Sequence, residues 1–372
     1  MVERVPDAEA AAAAFRTLAD AEQSRVPTYA RICRIIAARP ELHSLLLEAP
    51  TGQRLPVLLL ASIHDVVLRD PTVPLAPWYP SVTRAAPDPA DPTDALVATV
   101  GSHLDTIVEL VRTRQVQTNE VNRCVAWQLA LGELCRTDDR PLALVEVGAS
   151  AGLNLRLDDY GYTFDTPDGP VVAGETSSPV QLGTELRETW LAATAPRPSV
   201  IDRVGLDLHS LDVTDPEDAR WLAACTWPEQ RVRFERLTAA IGLTAADPPR
   251  LVAGDMVDDV GALVRAAPDG SHVVVLASWA LTYVERSRRT ELAEQLVAVA
   301  PEVLDRGGRL SMATLDAAHT LPWIEPPEVP SDADADHRHA SLLTVTEVNP
   351  EGLTPHPLAW AQAHLAWTEP LV

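Results

Sequence analysis

The chain contains no lysine; all 30 of its basic residues are arginine. That absence removes the phosphate-gripping lysine of a Walker A loop, the Schiff-base lysine of pyridoxal-phosphate enzymes and the lysine that short-chain dehydrogenases need. Positive charge is also scarce, with 30 basic against 53 acidic residues and a formal net charge of −23. Nucleic-acid binding rests on clustered basic side chains that release counterions from a phosphate backbone, so this balance argues against a nucleic-acid partner. The acidity reads as a solubility device. The cysteines Cys33, Cys124, Cys135 and Cys225 form no CxxC pair and no Cys/His metal spacing. They read as reduced, buried thiols of a cytoplasmic protein, and no metal is expected. The longest apolar run, Val273 to Leu281, is interrupted by Ser278 and falls far short of the ~20 residues that span a bilayer. An alanine run at Ala10 to Ala14 lies near the acids Glu3, Asp7 and Glu9, where a signal peptide needs positive charge. No membrane partner is expected.

The 372 residues, 46% of them hydrophobic, suit about two domains with a large core. Residues 1–138 read as a helical N-terminal cap region. Leu104, Ile107, Val108 and Val111 make one helical stripe. PVLLLASIHDVVL, Pro56 to Leu68, is apolar on nearly all sides and reads as a buried helix with His64 and Asp65 as a satisfied buried pair. The stretch Pro71 to Pro92 is proline-dense and reads as a loop around Tyr79. In QVQTNEVNRCVAWQLALGELC, Gln115 to Cys135, Thr118 or Asn119 can cap a helix, and Glu120 suits its first turn. Capping leaves Asn122 and Arg123 unexplained.

Residues 139–372 read as an α/β domain organised around LALVEVGASAGLNL, Leu142 to Leu155. A doubly buried strand runs into a glycine-rich turn and then a helical start, which would offer backbone N–H groups and a helix dipole to a ligand. Three chemistries use such a turn: a GxSxG nucleophile elbow on Ser150, a degenerate dinucleotide loop, and an acidic-x-Gly-x-Ser-x-Gly cofactor loop led by Glu146. A turn whose glycines serve packing alone stays open beside them. Four further strands follow: DRVGLDL ending at Asp207, RLVAGD ending at Asp255, HVVVLAS, and RLSMATL after Gly307 and Gly308. Trp227 to Gly242 reads as a helix stopped by glycine, and Leu292, Leu296, Val299 and Val303 share one helical face. SLLTVTEV and WAQAHLAW alternate with period two and read as a closing antiparallel pair. The whole predicts a doubly wound, mostly parallel, Rossmann-like sheet. Gly152 and Asp207 are about 55 residues apart, against the ~20 of a compact βαβ unit, so either residues 161–200 are an insertion or Asp165 is the ribose acid.

This strand order and its motifs resemble the class I S-adenosylmethionine-dependent methyltransferase domain. The resemblance implies that Glu146, Gly148, Ser150, Gly152 and Asn154 line the methionine and ribose moieties and that Asp207 accepts the ribose hydroxyls. Asp255 and Met256 would hold the adenine, with Ser278 to Tyr283 facing the methyl group. More narrowly, EVGASAGLNL, QTNEVNRC, WYPS and GLDLHSLDV resemble the bacterial family known as domain of unknown function 2332. The expectation is methyl transfer from S-adenosylmethionine to a small-molecule acceptor, with Asn119, Glu120, Arg123 and Tyr283 at the acceptor site. A hydrolase using Ser150, Asp255 and His319, or a catalytically silent cofactor-binding module, are the alternatives. His337 and His339 sit in an acidic stretch that reads as a solvated loop, not a metal site.

Overall fold

Proline sets many of the helix starts. The helices Pro27–Ala37, Pro40–His43, Pro56–Arg69, Pro80–Thr83 and Pro216–Ala224 each carry it in their first turn, where its missing N–H has no intrahelical partner to lose. These elements come from a computed structural model that describes residues 5–195, 198–328 and 340–371; His337 and His339 lie outside the described residues. The chain divides into two units, Met1–Thr118 with Asp212–Thr238, and Asn119–Leu211 with Ala239–Val372.

The first unit is helical. Pro56–Arg69 is buried continuously from Leu58 to Val67, as an all-round apolar helix must be. His64 inside it is satisfied at both ring nitrogens, by the Ala224 carbonyl at 3.0 Å and the Ser81 hydroxyl at 2.8 Å. Burial holds its pKa down at about 4. Asp65 accepts from Arg220 Nε at 2.9 Å. His64 is satisfied as expected, whereas Asp65 Oδ2 is buried without a hydrogen-bond partner, 3.6 Å from Arg69 Nη2. Tyr79 is fully buried and packs edge-on to Tyr29 at 6.2 Å. In Leu104–Thr113 the stripe buries Ile107 and Val111, while Leu104 at the first position stays exposed.

The second unit holds one sheet of β1 (Leu142–Val147), β2 (Gly161–Thr166), β3 (Gly169–Gly174), β4 (Gln181–Leu186), β5 (Val200–Asp207), β6 (Arg250–Ala253), β7 (His272–Ser278), β8 (Arg309–Ala317), β9 (Ser341–Asn349), β10 (Gly352–Ala361) and β11 (Trp367–Pro370). Its order is β3-β2-β4-β11-β10-β9-β8-β7-β1-β5-β6. β1 is flanked by β5 and β7, both parallel to it. All its residues are buried, which explains why every one of them but Glu146 is apolar. On one face Ala143, Val145 and Val147 join Val273, Val275 and the helical residues Leu292, Leu296, Val299 and Val303 in one core. On the other, the helix Cys124–Cys135 packs against β4, β8 and β9. Every residue of it from Cys124 to Gly132 is buried. This is the mixed α/β architecture with a large, mostly parallel sheet. Among the described residues no helix is long and apolar enough to cross a membrane.

Three local expectations change. After the turn, Leu153–Asp159 is a 3-10 segment kinked at Arg156, because the hydroxyls of Tyr160 and Tyr162 donate to the Leu153 and Leu157 carbonyls at 2.6 and 2.5 Å. The intervening residues then form β2, β3 and β4 before β5 begins. Gly242 does not stop its helix, which runs Arg231–Ala246 and ends before Pro248 and Pro249, where proline disfavours helix in the preceding residue. WAQAHLAW is not one strand. The hairpin partner of β9 is β10, whose register shifts between Pro357 and Ala359. The chain then turns through Leu365 at φ +59° before β11.

Candidate functional site

The turn after β1 is shaped by three left-handed residues, Gly148 at φ +70°, Ser150 at +54° and Gly152 at +71°. A Cβ on Gly148 would lie 2.6 Å from the Ala280 side chain, and one on Gly152 would lie 2.7 Å from Pro249. Both positions need glycine for conformation and for space. The same construction brings Met256 Cε within 4.0 Å of that Gly148 position, so the loop after β6 borders the turn.

Most of the turn's N–H groups are spent inside the protein. Gly148 N donates to Leu206 O at 2.8 Å, Ala149 N to the same carbonyl at 3.3 Å, and Gly152 N to Ala149 O at 2.8 Å. Ser150 N donates to Asp207 Oδ2 at 2.8 Å, while Asp207 Oδ1 accepts from His209 N at 2.8 Å. The expected cradle of free N–H groups is therefore not formed. The 3-10 segment that follows is too short and kinked to supply a helix dipole.

What the turn offers instead is acceptor oxygen. Glu146 Oε2, Ser150 Oγ and Asn119 Oδ1 are buried and without a hydrogen-bond partner. Such atoms are costly unless something completes them. Glu146 accepts from Asn154 Nδ2 at 3.1 Å through its other oxygen. Burial pushes its carboxyl up to about 8, and the nearby Asp207 charge adds to this, against the Asn154 hydrogen bond and the Arg123 charge.

The segment Asn119 to Arg123 lies in the same unit as the turn. Asn119 Nδ2 donates to Ala149 O at 3.2 Å. Glu120 caps the 3-10 turn Val121–Arg123 by accepting from Asn122 N at 3.2 Å; the cap is neither Thr118 nor Asn119. Asn122 grips β4 from both sides, donating to Gly183 O at 3.0 Å and accepting from Gly183 N at 3.2 Å, and it also donates to His364 O at 3.0 Å. Arg123 donates to Ser278 O and Ala363 O, each at 3.3 Å, with its guanidinium 6.0 Å from the Trp279 ring. This latch joins the end of β7 to the turn between β10 and β11, and it explains the polarity that capping left over.

The remaining candidates are more scattered. Asp255 accepts from Val257 N and from Arg288 Nη2 at 2.8 and 3.0 Å, so its carboxylate serves its own loop. Tyr283 is 83% exposed. Asp165 lies on β2, which pairs with β3 and β4 and not with β5, so Asp207 is the acid beside the turn. Ser150 Oγ has no partner, and His319 is exposed.

Sequence reasoning did not find two arrangements that tertiary structure assembles. One is a buried Asp–His–Ser relay, in which His272 lies 2.9 Å from Asp138 Oδ2 through Nδ1 and 2.9 Å from Ser311 Oγ through Nε2. His272 and Ser311 are each 2% exposed and stand near the starts of β7 and β8, the ends opposite the turn, so the relay is a clasp and not a nucleophile. The other is His364, whose Nδ1 lies 3.2 Å from Glu120 Oε2.

Fold and site together define a mixed α/β protein with a glycine-rich turn at the carboxyl end of β1. The chain belongs to the family described as uncharacterized protein conserved in bacteria (DUF2332), which it matches over residues 12–369. No curated protein matches it.

Proposed function

We propose that the crevice beside Gly148–Gly152 binds S-adenosylmethionine and that the protein transfers its methyl group to a small-molecule acceptor. The strand order β6-β5-β1-β7-β8 supports this reading. It is the 3-2-1-4-5 order of Rossmann-like sheets, whose ligands sit where the order reverses, here between β1 and β7. The observation that carries the choice of ligand is the chemistry of the donor set. With most of its N–H groups spent internally and Glu146 Oε2, Ser150 Oγ and Asn119 Oδ1 left open, the turn suits a ligand with positive charge and hydroxyl donors better than a pyrophosphate.

Bound S-adenosylmethionine supplies an activated methyl group, which leaves the chain to bind, orient and exclude water. Asn119 and Glu146, whose carboxyl a bound cation would draw into its ionised form, would receive the cationic part. Asp207 keeps lone pairs for ribose hydroxyls while holding the turn, and Met256 offers an apolar surface for the base. A hydrolase built on Ser150 has less support, since a nucleophilic serine needs a base within hydrogen-bond reach. The test is equilibrium dialysis with labelled S-adenosylmethionine. The wild type binds it, Glu146→Ala and Asp207→Ala each weaken it more than tenfold, and NAD does not compete. Competition by NAD, or binding indifferent to Asp207→Ala, overturns the reading.

A further inference from the structure

We infer that His364, oriented by the buried carboxylate of Glu120, is the proton acceptor of this site and takes the proton of an O–H or N–H substrate on Nε2. The inference relies on the methyl-transfer reading for its ligand and on geometry alone for the dyad. Glu120 is 1% exposed and its Oε2 lies 3.2 Å from His364 Nδ1, while the histidine side chain is 36% exposed. A histidine that meets both solvent and a buried carboxylate has the arrangement of an activated base, in which the carboxylate fixes the tautomer and stabilises the imidazolium.

Neighbouring contacts hold the dyad at the crevice. Asn122 donates to the His364 carbonyl at 3.0 Å, and Arg123 bridges Ala363 O to Ser278 O at the end of β7. Asn119, one residue before Glu120, is bonded to Ala149 in the turn itself. A single five-residue segment thus touches the ligand turn, the end of β7 and the histidine. His364 Nδ1 and Glu120 Oε2 are 3.2 Å apart, within the range from which catalytic hydrogen bonds tighten when the site fills. In the step proposed, the substrate X–H bond breaks, its electron pair stays on X, and the proton binds Nε2. The positive charge so formed faces Glu120, with Arg123 the cation on the same segment, and the proton later returns to solvent.

The experiment is long-range ¹H–¹⁵N correlation spectroscopy on the full chain labelled at histidine, with His364→Gln to assign the signal. The expected result is an Nδ1–H tautomer for neutral His364 in the wild type, a tautomer ratio moved toward Nε2–H in Glu120→Gln, and a shift of the His364 signals on adding S-adenosylhomocysteine. An Nε2–H tautomer in the wild type, or a tautomer ratio unmoved by Glu120→Gln, overturns the dyad. If Glu120→Gln fails to fold, the wild-type tautomer alone decides. A dyad that shows both signatures in a protein that does not bind S-adenosylhomocysteine upholds the base and overturns methyl transfer.

Discussion

The backbone N–H of Ser150 is bonded to the side chain of Asp207 at 2.8 Å, so the acid that ends β5 fixes the conformation of the turn that ends β1. A hydrogen bond to a charged group is worth about 1.5–3 kcal/mol, and Asp207 makes a second one to His209 N. Asp207→Ala should lower stability by about 2–3 kcal/mol and weaken ligand binding together. Asp207→Asn, which keeps one acceptor, should cost less. Urea unfolding of the three proteins checks the order.

Two glycines make an internal control. Gly148→Ala combines a left-handed φ with a 2.6 Å approach to Ala280, so a loss of at least about 2 kcal/mol is expected. Gly242 sits inside the helix Arg231–Ala246 with nothing within 4 Å of its Cβ position. There alanine should stabilise by up to about 1 kcal/mol. Opposite signs in thermal unfolding are the expected outcome.

Acid should destabilise the protein through its buried imidazoles. His64 is depressed from 6.5 to about 4 by burial, and His272 is lowered by burial against the pull of Asp138. A depressed histidine contributes stability that is whole above its unfolded pKa and is lost as pH falls through 6.5 toward 4. For His64 this amounts to about 3 kcal/mol, at 1.36 kcal/mol per unit. Glu146 works in the other direction. Its pKa is raised to about 8 by burial, so its contribution is whole below 4.5 and is lost as pH rises to 8. Glu146→Gln should therefore be better tolerated at pH 8 than at pH 5, relative to wild type, while still impairing cation binding. Urea midpoints from pH 4 to 8 measure both trends.

Ser150→Ala keeps the backbone N–H that Asp207 holds and removes only an unpartnered hydroxyl. Ligand affinity should change less than tenfold and stability by under about 1 kcal/mol. An ester hydrolysis present in the wild type and absent from this variant would restore the nucleophile reading.

Elements whose signal is local were legible in the sequence. β1 and β7 are predominantly apolar because both their faces are covered, and Leu292 to Val303 form a stripe because one face of that helix meets the sheet. β10 was hidden by Pro355 and Pro357, residues that rarely occur in strands. Here they pair with Thr346 and Thr344 of β9 where, among the described residues, no strand pairs on the other side. The turn was legible, but the use of its N–H groups was not, since Leu206 and Asp207 reach it from another strand. His364 and Glu120, far apart in the chain, meet only through the fold.

The ligand proposed for the turn at Gly148–Gly152 is S-adenosylmethionine. The direct measurement is the melting temperature of the wild type with S-adenosylmethionine, S-adenosylhomocysteine, NAD and NADP, repeated with Gly148→Ala. A ligand at 100 times its dissociation constant stabilises by ~2.7 kcal/mol, a shift of a few degrees for a chain of this size. That shift is expected with the two adenosyl ligands alone, and it is lost in Gly148→Ala. Stabilisation by NAD or NADP without the adenosyl ligands would contradict it.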